Sequence, residues 1–188
     1  MQYSFNLYNK LAPTGALMAL NALLANDPLP PVVVCIGSEL VIGDALGPIT
    51  GTMIQSKTKG IPCYIYGSLN TPVTAKEIKY INTFLRRTHP DRKVIAIDAA
   101  VGEQGDIGLI KISDCALRPG SGANKKLGKV GDVSVLGIIA EKSLFNYSVL
   151  NSTRLSVIYT MSQIISDAVA SLLWNKSGAQ SLPSNRSN

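Results

Sequence analysis

The sequence predicts an α/β protein: a three-layer α/β/α sandwich with a mostly parallel central sheet. Strand-like apolar runs alternate along the chain with segments whose apolar residues recur at helical spacing. The run Val32–Ile36 is apolar throughout and rich in β-branched residues, which is typical of a strand buried on both faces. A chain of 188 residues, 46% of them hydrophobic, can form one domain with a sizeable core.

The chain divides into three predicted regions. Residues 1–29 form an N-terminal arm and a helix, residues 30–175 form the α/β hydrolase-like domain, and the polar tail 176–188 is expected to be disordered. The helix, at about 14–25, resembles the apolar part of a signal peptide, but its basic flank is only Lys10. We therefore interpret it as an amphipathic or core-docked helix. No apolar run reaches the roughly 18 residues that cross a bilayer, so we expect a cytoplasmic protein that does not contact membranes.

The elements of the domain follow from local signals. The strand at 32–36 stops at Gly37-Ser38, and apolar spacing predicts a helix from Ala45 to about 57. A capping box, Thr74 with Glu77, starts the next helix. Further strands are predicted at 62–66, 93–98, 107–112 and 130–139, and a last long helix at about 151–174.

Two aspartates are the candidate catalytic residues. Asp44 lies in the loop or first helical turn after the strand at 32–36, and Asp98 ends the strand at 93–98. If these strands are parallel neighbours, their carboxyl ends share one edge of the sheet and the carboxylates converge. Two close carboxylates cannot both ionise freely, so one keeps a proton and the pair can serve as acid and base in peptide or amide hydrolysis. The alternative is that each aspartate only caps a helix.

Glycine-rich segments near these aspartates are the candidate substrate-binding residues. They are Gly37 and Ser38 after the first strand, and Gly120, Ser121, Gly122, Asn124 and Lys125 in a basic loop at 118–126. Backbone donors and lysine side chains of that loop could hold a peptide, although it could equally be a plain surface loop. Neither the phosphate-binding G-x-x-x-x-G-K-[ST] pattern nor the dinucleotide-binding G-x-G-x-x-G pattern is present.

The cysteines and the single histidine do not form a predicted metal site. Cys35, Cys63 and Cys115 make no C-x-x-C pair, and this odd number in apolar surroundings favours reduced thiols in the core. His89 follows a predicted helix and precedes the strand of Asp98, so we expect a surface residue at a helix end, on the opposite rim from Asp98. The formal charge of +6 permits acidic partners without requiring them.

Several motifs together resemble the YyaC-type sporulation proteins, relatives of the germination protease that degrades small acid-soluble spore proteins. They are Ile36-Gly-Ser, Gly43-Asp-Ala-Leu-Gly-Pro48, Ala96-Ile-Asp-Ala-Ala100, Arg118-Pro-Gly-Ser-Gly122 with Asn124-Lys125, and Gly131-Asp-Val-Ser-Val135. The similarity covers about residues 30–175. It implies the fold of the hydrogenase maturation proteases, and it implies that Asp44 and Asp98 stand where the germination protease has its two catalytic aspartates.

The resemblance also implies partners and a location. It points to a peptide or protein substrate, such as the small acid-soluble spore proteins, in the cytoplasm of the sporulating cell or forespore, with no cofactor and no direct contact with nucleic acid. Two departures stand out. Gly43 replaces the Asp of the Asp-Glu pair in hydrogenase maturation proteases, whose nickel-binding Glu aligns with Asp44. The histidine that those proteins use after the second carboxylate is absent there, so we predict no metal site.

Three functions remain open from the sequence. The first is a sporulation-associated peptidase that activates water with Asp44 and Asp98. The second is a catalytically idle protein of the same fold that acts by binding a partner, and the third is a metal-dependent protein-processing factor or chaperone. The oligomeric state is not predicted.

Overall fold

A computed structural model describes residues 1–119, 128–142 and 153–178. Its strands and helices are β1 (Gln2–Asn6), α1 (Ala12–Leu23), β2 (Val32–Cys35), α2 (Leu46–Lys57), β3 (Tyr64–Tyr66), α3 (Ile78–Thr88), β4 (Val94–Gly102), β5 (Leu109–Ser113), β6 (Val133–Glu141) and α4 (Leu155–Ser177). Single 3₁₀ turns at Ile42–Ala45 and Ala75–Glu77 lead into α2 and α3. The capping box of Thr74 and Glu77 is present as predicted.

The strands form one sheet in the order β1-β5-β6-β4-β2-β3. The pairs β2–β3, β2–β4 and β4–β6 are parallel, and β5 runs antiparallel to both of its neighbours. The predicted α/β class with a mostly parallel sheet is therefore confirmed. The sequence did not predict β1: residues 2–6, interpreted as part of an arm, pair with β5 at the edge of the sheet.

Helices cover both faces of the sheet, and the alternation along β2 shows why that strand is apolar throughout. Val33 and Cys35 pack in the cluster that includes α1, α2 and α4, whereas Val32, Val34 and Ile36 pack in the cluster that includes α3. All five are no more than 1% exposed. Because successive side chains of a strand point to opposite faces, a strand between two helical layers has no polar side.

The helix α4 is long and apolar enough to cross a membrane by length and composition alone, but 56% of its most apolar stretch is buried within the protein. Its side chains Ile158, Met161, Val169 and Leu172 belong to the main core cluster. The helix α1 docks on the same core through Ala16 and Leu20, as predicted. It begins at Ala12, so that Pro13 lies in its first turn. Backbone N–H groups in the first turn have no partner within the helix, so the N–H that proline lacks is not needed there.

The core prediction for the cysteines is only partly right. Cys35 is fully buried, Cys63 is half-buried, and Cys115 is exposed. Cys115 follows the end of β5, outside the sheet, and its thiol lies beside the exposed carboxylate of Asp114.

Candidate active site

The strands β2 and β4 bring the two aspartates to one edge of the sheet. The strand β2 ends at Cys35, and the next residue, Ile36, donates its backbone N–H to the Ile97 carbonyl at 2.7 Å. Asp98 therefore lies just beyond the end of β2. The prediction that Asp98 ends its own strand is wrong. The strand β4 continues to Gly102 because it pairs with β6 over this stretch.

The chain returns to this point through a tight turn. After Ile36, the Gly37 N–H donates to the Val73 carbonyl at 3.0 Å, and the Ser38 N–H donates to the Asp44 carbonyl at 3.1 Å. Gly37 has a φ of +144°, which favours glycine. These bonds hold the 3₁₀ turn that carries Asp44 against the end of β2. Asp44 was predicted to lie in the loop or first helical turn after this strand, and it does.

The start of α2 lies directly against this strand end. A Cβ atom at residue 47 would stand 2.0 Å from the Ile36 carbonyl oxygen, so only glycine permits this close approach. The segment Gly43–Pro48 is thus a packing motif as well as the carrier of Asp44.

Asp98 is the more buried of the two carboxyl groups. Only 5% of Asp98 is exposed, and its Oδ1 accepts a hydrogen bond from the Ala99 N–H at 2.8 Å. Burial raises the pKa of Asp98 well above the usual value, the negative charge of Asp44 raises it further, and the Ala99 bond lowers it. Asp98 therefore keeps its proton at pH values where an ordinary aspartate is ionised.

Asp44 is half-buried and interacts electrostatically with Asp98. Burial raises the pKa of Asp44, and a backbone hydrogen bond from Ser38 opposes the effect by favouring the ionised form. The pair thus contains one carboxyl group that is easier to ionise and one that resists ionisation. Such a pair can supply a base and an acid to one water molecule.

Neither aspartate is a helix cap. The residue at the N-cap of α2 is Ala45, without a side-chain capping bond, and Asp98 lies inside a strand. The alternative interpretation of both residues as simple caps is therefore wrong.

The predicted substrate-binding residues fall into two groups. Gly37 and Ser38 lie beside Asp44, and the Ser38 Oγ accepts a bond from the Leu40 N–H at 3.2 Å. Gly120, Ser121, Gly122, Asn124 and Lys125 lie outside the described residues. The stem of their loop is held by two backbone bonds of 2.9 Å between Leu117 and Val130, both buried in the cluster of α3.

His89 does not fit a metal site with the aspartates. The prediction of an opposite rim is correct, since His89 precedes β4, and the four steps along the strand from Val94 to Asp98 alone span about 13 Å. The prediction of a surface residue is wrong: His89 is 7% exposed, its Nε2 lies 2.8 Å from the Tyr66 hydroxyl, and its ring packs on Tyr64. Within residues 1–119, 128–142 and 153–178, no three His, Cys, Asp or Glu side chains group together as metal ligands.

Two contributors to the site were not predicted. The Ala99 N–H binds Asp98, and Val73 forms an isolated parallel bridge with Ile36 that holds the turn at Gly37. A β-branched residue directly after Pro72 was the available signal for Val73. The Ala99 bond is made by the backbone and leaves no mark in the sequence.

Fold and site together define an α/β protein with two interacting carboxyl groups at the carboxyl edge of a mostly parallel sheet. The fold is similar to that of the NiFe hydrogenase maturation protease HycI from Thermococcus kodakarensis KOD1, with a TM-score of 0.52 and 17% identity, over 82% of this chain and 97% of that one. At this identity the likeness shows the fold alone.

The sequence comparisons define the family. The chain belongs to the family described as "Protein of unknown function (DUF1256)", whose model matches residues 5–168. "Uncharacterized protein YyaC" of Bacillus subtilis (strain 168) is 34% identical over 141 residues, which are 75% of this chain and 68% of the relative. The relationship to YyaC-type proteins, first indicated by the motifs around Asp44 and Asp98, is thereby confirmed.

Proposed function

We propose that this protein hydrolyses peptide bonds with Asp44 and Asp98. The observation that carries the proposal is the placement of these two residues at the end of β2: Asp98, which is buried, follows the Ile97 carbonyl that binds Ile36, and Asp44, which is partly open to solvent, lies in the turn bonded to Ser38. The maturation-protease fold supports a peptidase in general. The assignment of both residues to catalysis is our own inference.

In the proposed reaction Asp44 is the base and Asp98 is the acid. The ionised Asp44 carboxylate takes a proton from a water molecule, whose oxygen attacks the carbonyl carbon of the peptide. The protonated Asp98 donates its proton as the carbon–nitrogen bond breaks, so that the amine leaves neutral. Burial of Asp98 raises its pKa and so keeps this proton available at pH values where an ordinary aspartate has lost it.

Substitution of each aspartate tests the mechanism. A mixture of synthetic peptides is incubated with the wild-type protein and with the Asp44→Asn and Asp98→Asn variants, and products are identified by mass spectrometry. General acid–base groups contribute about 10²–10⁴-fold, so each variant should lose cleavage by about that factor. Asp91→Asn is the control, because Asp91 is exposed and lies at the opposite end of β4. Full cleavage by both site variants would contradict the proposal.

We further infer that the substrate is a cytoplasmic protein of the sporulating cell or forespore. The support is the membership of the YyaC family together with the resemblance of the Asp44 and Asp98 motifs to those of the germination protease. Purified small acid-soluble spore proteins are the first substrates to add to the assay. If other peptides are cleaved and these proteins are not, the substrate assignment is wrong and the mechanism still stands.

A second function, partner binding without catalysis, is favoured by the burial of Asp98. Asp98 is 5% exposed and its Oδ1 accepts a bond from the Ala99 N–H, so its carboxyl group is poorly placed to reach a bulky substrate. This alternative predicts that a variant with both aspartates changed to Asn still performs its role in the cell. Loss of that role in the folded double variant would exclude it.

A further inference from the structure

Three consecutive apolar residues, Leu40, Val41 and Ile42, lie in the turn that leads from β2 to Asp44. Leu40 is 84% exposed and Ile42 is 40% exposed, and Val41 is partly exposed. Among the described residues, no large hydrophobic side chain is more exposed than that of Leu40. None of the three belongs to either core cluster that the described residues form. Packing of the protein's own core therefore does not explain why this turn is apolar.

Hydrogen bonds at the base of the turn hold it beside Asp44. The Ser38 N–H donates to the Asp44 carbonyl at 3.1 Å, the Asp44 N–H donates to the Val41 carbonyl at 2.9 Å, and the Leu40 N–H donates to the Ser38 Oγ at 3.2 Å. A turn closed in this way keeps the Cα atoms of Val41 and Asp44 within about 7 Å. Leu40 is one residue further along, so its Cα atom lies within about 11 Å of that of Asp44. Ile42 is closer still.

The size and place of this apolar turn, residues 40–42, indicate what covers it. A run of exposed apolar residues is typical of a binding surface. A stable interface with a second copy needs about 800 Å² on each partner, far more than three side chains offer. An extended peptide advances about 3.3 Å per residue, so a peptide cleaved at Asp44 and Asp98 carries its nearby side chains past the turn. The occupant that fits is therefore the peptide substrate.

We propose that the apolar turn binds a large apolar side chain of the substrate, within about three residues of the bond that is cleaved. Burial of that side chain against Leu40 and Ile42 removes apolar surface of both partners from water. A polar side chain at the same position leaves the turn exposed and gains nothing. This inference rests on the proposed peptidase function, because the peptide held at the two aspartates is what brings the side chain to the turn.

Binding of two matched peptides tests the proposal. Both are fluorescein-labelled chains of Ala, Gln and Ser, about 12 residues long. One carries Leu at every third position, so that a leucine can reach the turn in any register, and the other has Ser there. Affinities are measured by fluorescence anisotropy with the Asp98→Asn variant, which should leave the peptides intact. The Leu peptide should bind at least about tenfold more tightly, because burial of one Leu side chain contributes about that factor or more.

Three double variants, each made in the Asp98→Asn protein, assign this preference to the turn. Leu40→Ser/Ile42→Ser should reduce it below about threefold. The control Leu11→Ser/Met18→Ser should keep it. That control removes two apolar side chains, 71% and 68% exposed, at the start and in the middle of α1, and α1 follows β1, which three strands separate from β2. Leu40→Ile/Ile42→Leu preserves the apolar surface and should also keep the preference.

Several outcomes would overturn the proposal. They are equal affinity for the two peptides, a preference that survives in Leu40→Ser/Ile42→Ser, and an equal loss in the α1 control. A dimer that dissociates in Leu40→Ser/Ile42→Ser, with no peptide preference, would assign the turn to self-association instead. Cleavage of the Leu peptide by the wild-type protein is followed separately. Preference without cleavage would contradict the peptidase function and support the apolar preference, whereas cleavage without preference would do the reverse.

Discussion

Gly37 and Asp44 are in such close contact that a Cβ atom at residue 37 would stand 2.0 Å from the Asp44 carbonyl oxygen. The same carbonyl accepts the Ser38 N–H at 3.1 Å. These two contacts fix the backbone position of Asp44. The candidate site therefore requires glycine at residue 37.

The variant Gly37→Ala should destabilise the protein and displace Asp44. A non-glycine residue at positive φ costs about 1–2 kcal/mol, and the contact with Asp44 adds to it, so we expect a loss of at least about 3 kcal/mol in unfolding free energy. Urea denaturation measures this loss. Gly60→Ala is the matched control, since Gly60 has a φ of +96° but no atom within 4 Å of the added Cβ. Equal losses in the two variants would show that the Asp44 contact is unimportant.

Replacing Asp98 should stabilise the protein and remove part of its pH dependence. The pKa of Asp98 is raised in the folded state, so the folded protein binds more protons than the unfolded chain above about pH 4. Its unfolding free energy must then fall as pH rises through the window between the unfolded and folded pKa values. Each tenfold change in proton affinity corresponds to about 1.4 kcal/mol.

Thermal unfolding of Asp98→Asn at several pH values checks this expectation. At pH 7 the variant should melt higher than the wild type, and below about pH 4, where Asp98 is protonated in both states, the advantage should disappear. Glu103→Gln, which removes a carboxylate from an exposed position, is the control and should leave the melting temperature at pH 7 nearly unchanged. A lower melting temperature for Asp98→Asn at pH 7 would mean that the ionised form is the one that the fold stabilises.

Features that depend on neighbouring residues in the sequence were predicted correctly more often than features that depend on distant residues. The capping box at Thr74 needs only its own neighbours, and the strand at 32–36 is marked by its own composition. The burial of His89 was not predictable, because Tyr64 and Tyr66 from β3 and Phe84 from α3 enclose it. The strand β1 was missed although its alternating exposure, with Phe5 on the core side, has a period of two.

The candidate site shows the same division. The sequence predicted that Asp44 and Asp98 follow strands, but their convergence depended on β2 and β4 being neighbours, which only the sheet order supplies. The assignment of acid and base depended on relative burial, which places Asp98 inside and Asp44 nearer to solvent. Residue types alone cannot distinguish two aspartates.

Cleavage should show a bell-shaped dependence on pH. The acid limb follows ionisation of the pair to a single negative charge, and it should lie above the usual aspartate range because burial raises the pKa of Asp44. The alkaline limb follows loss of the remaining proton, held mainly by Asp98. The two limbs belong to the pair as a whole, since the groups are coupled. Initial rates between about pH 3 and pH 10 measure the profile, and an alkaline limb that persists in Asp98→Asn would contradict the assignment.

His89 should titrate below the usual histidine range in the folded protein. Burial lowers the pKa of His89, and the positive charge of Arg92 lowers it further. Because the chain has one histidine, its ring signals in an NMR titration are unambiguous. Arg92→Gln should raise the pKa, whereas Arg87→Gln, which removes the same charge from an exposed position on α3, should leave it nearly unchanged.

Because its pKa is lowered in the folded state, His89 should destabilise the folded protein in acid. Since the unfolded chain binds this proton at about pH 6.5 and the folded protein binds it only at lower pH, the unfolding free energy should fall as pH drops through the window between the unfolded and folded pKa values. His89→Gln should flatten this part of the profile, even though it removes the bond to the Tyr66 hydroxyl. An unchanged slope just below about pH 6.5 in that variant would show that His89 is protonated alike in both states.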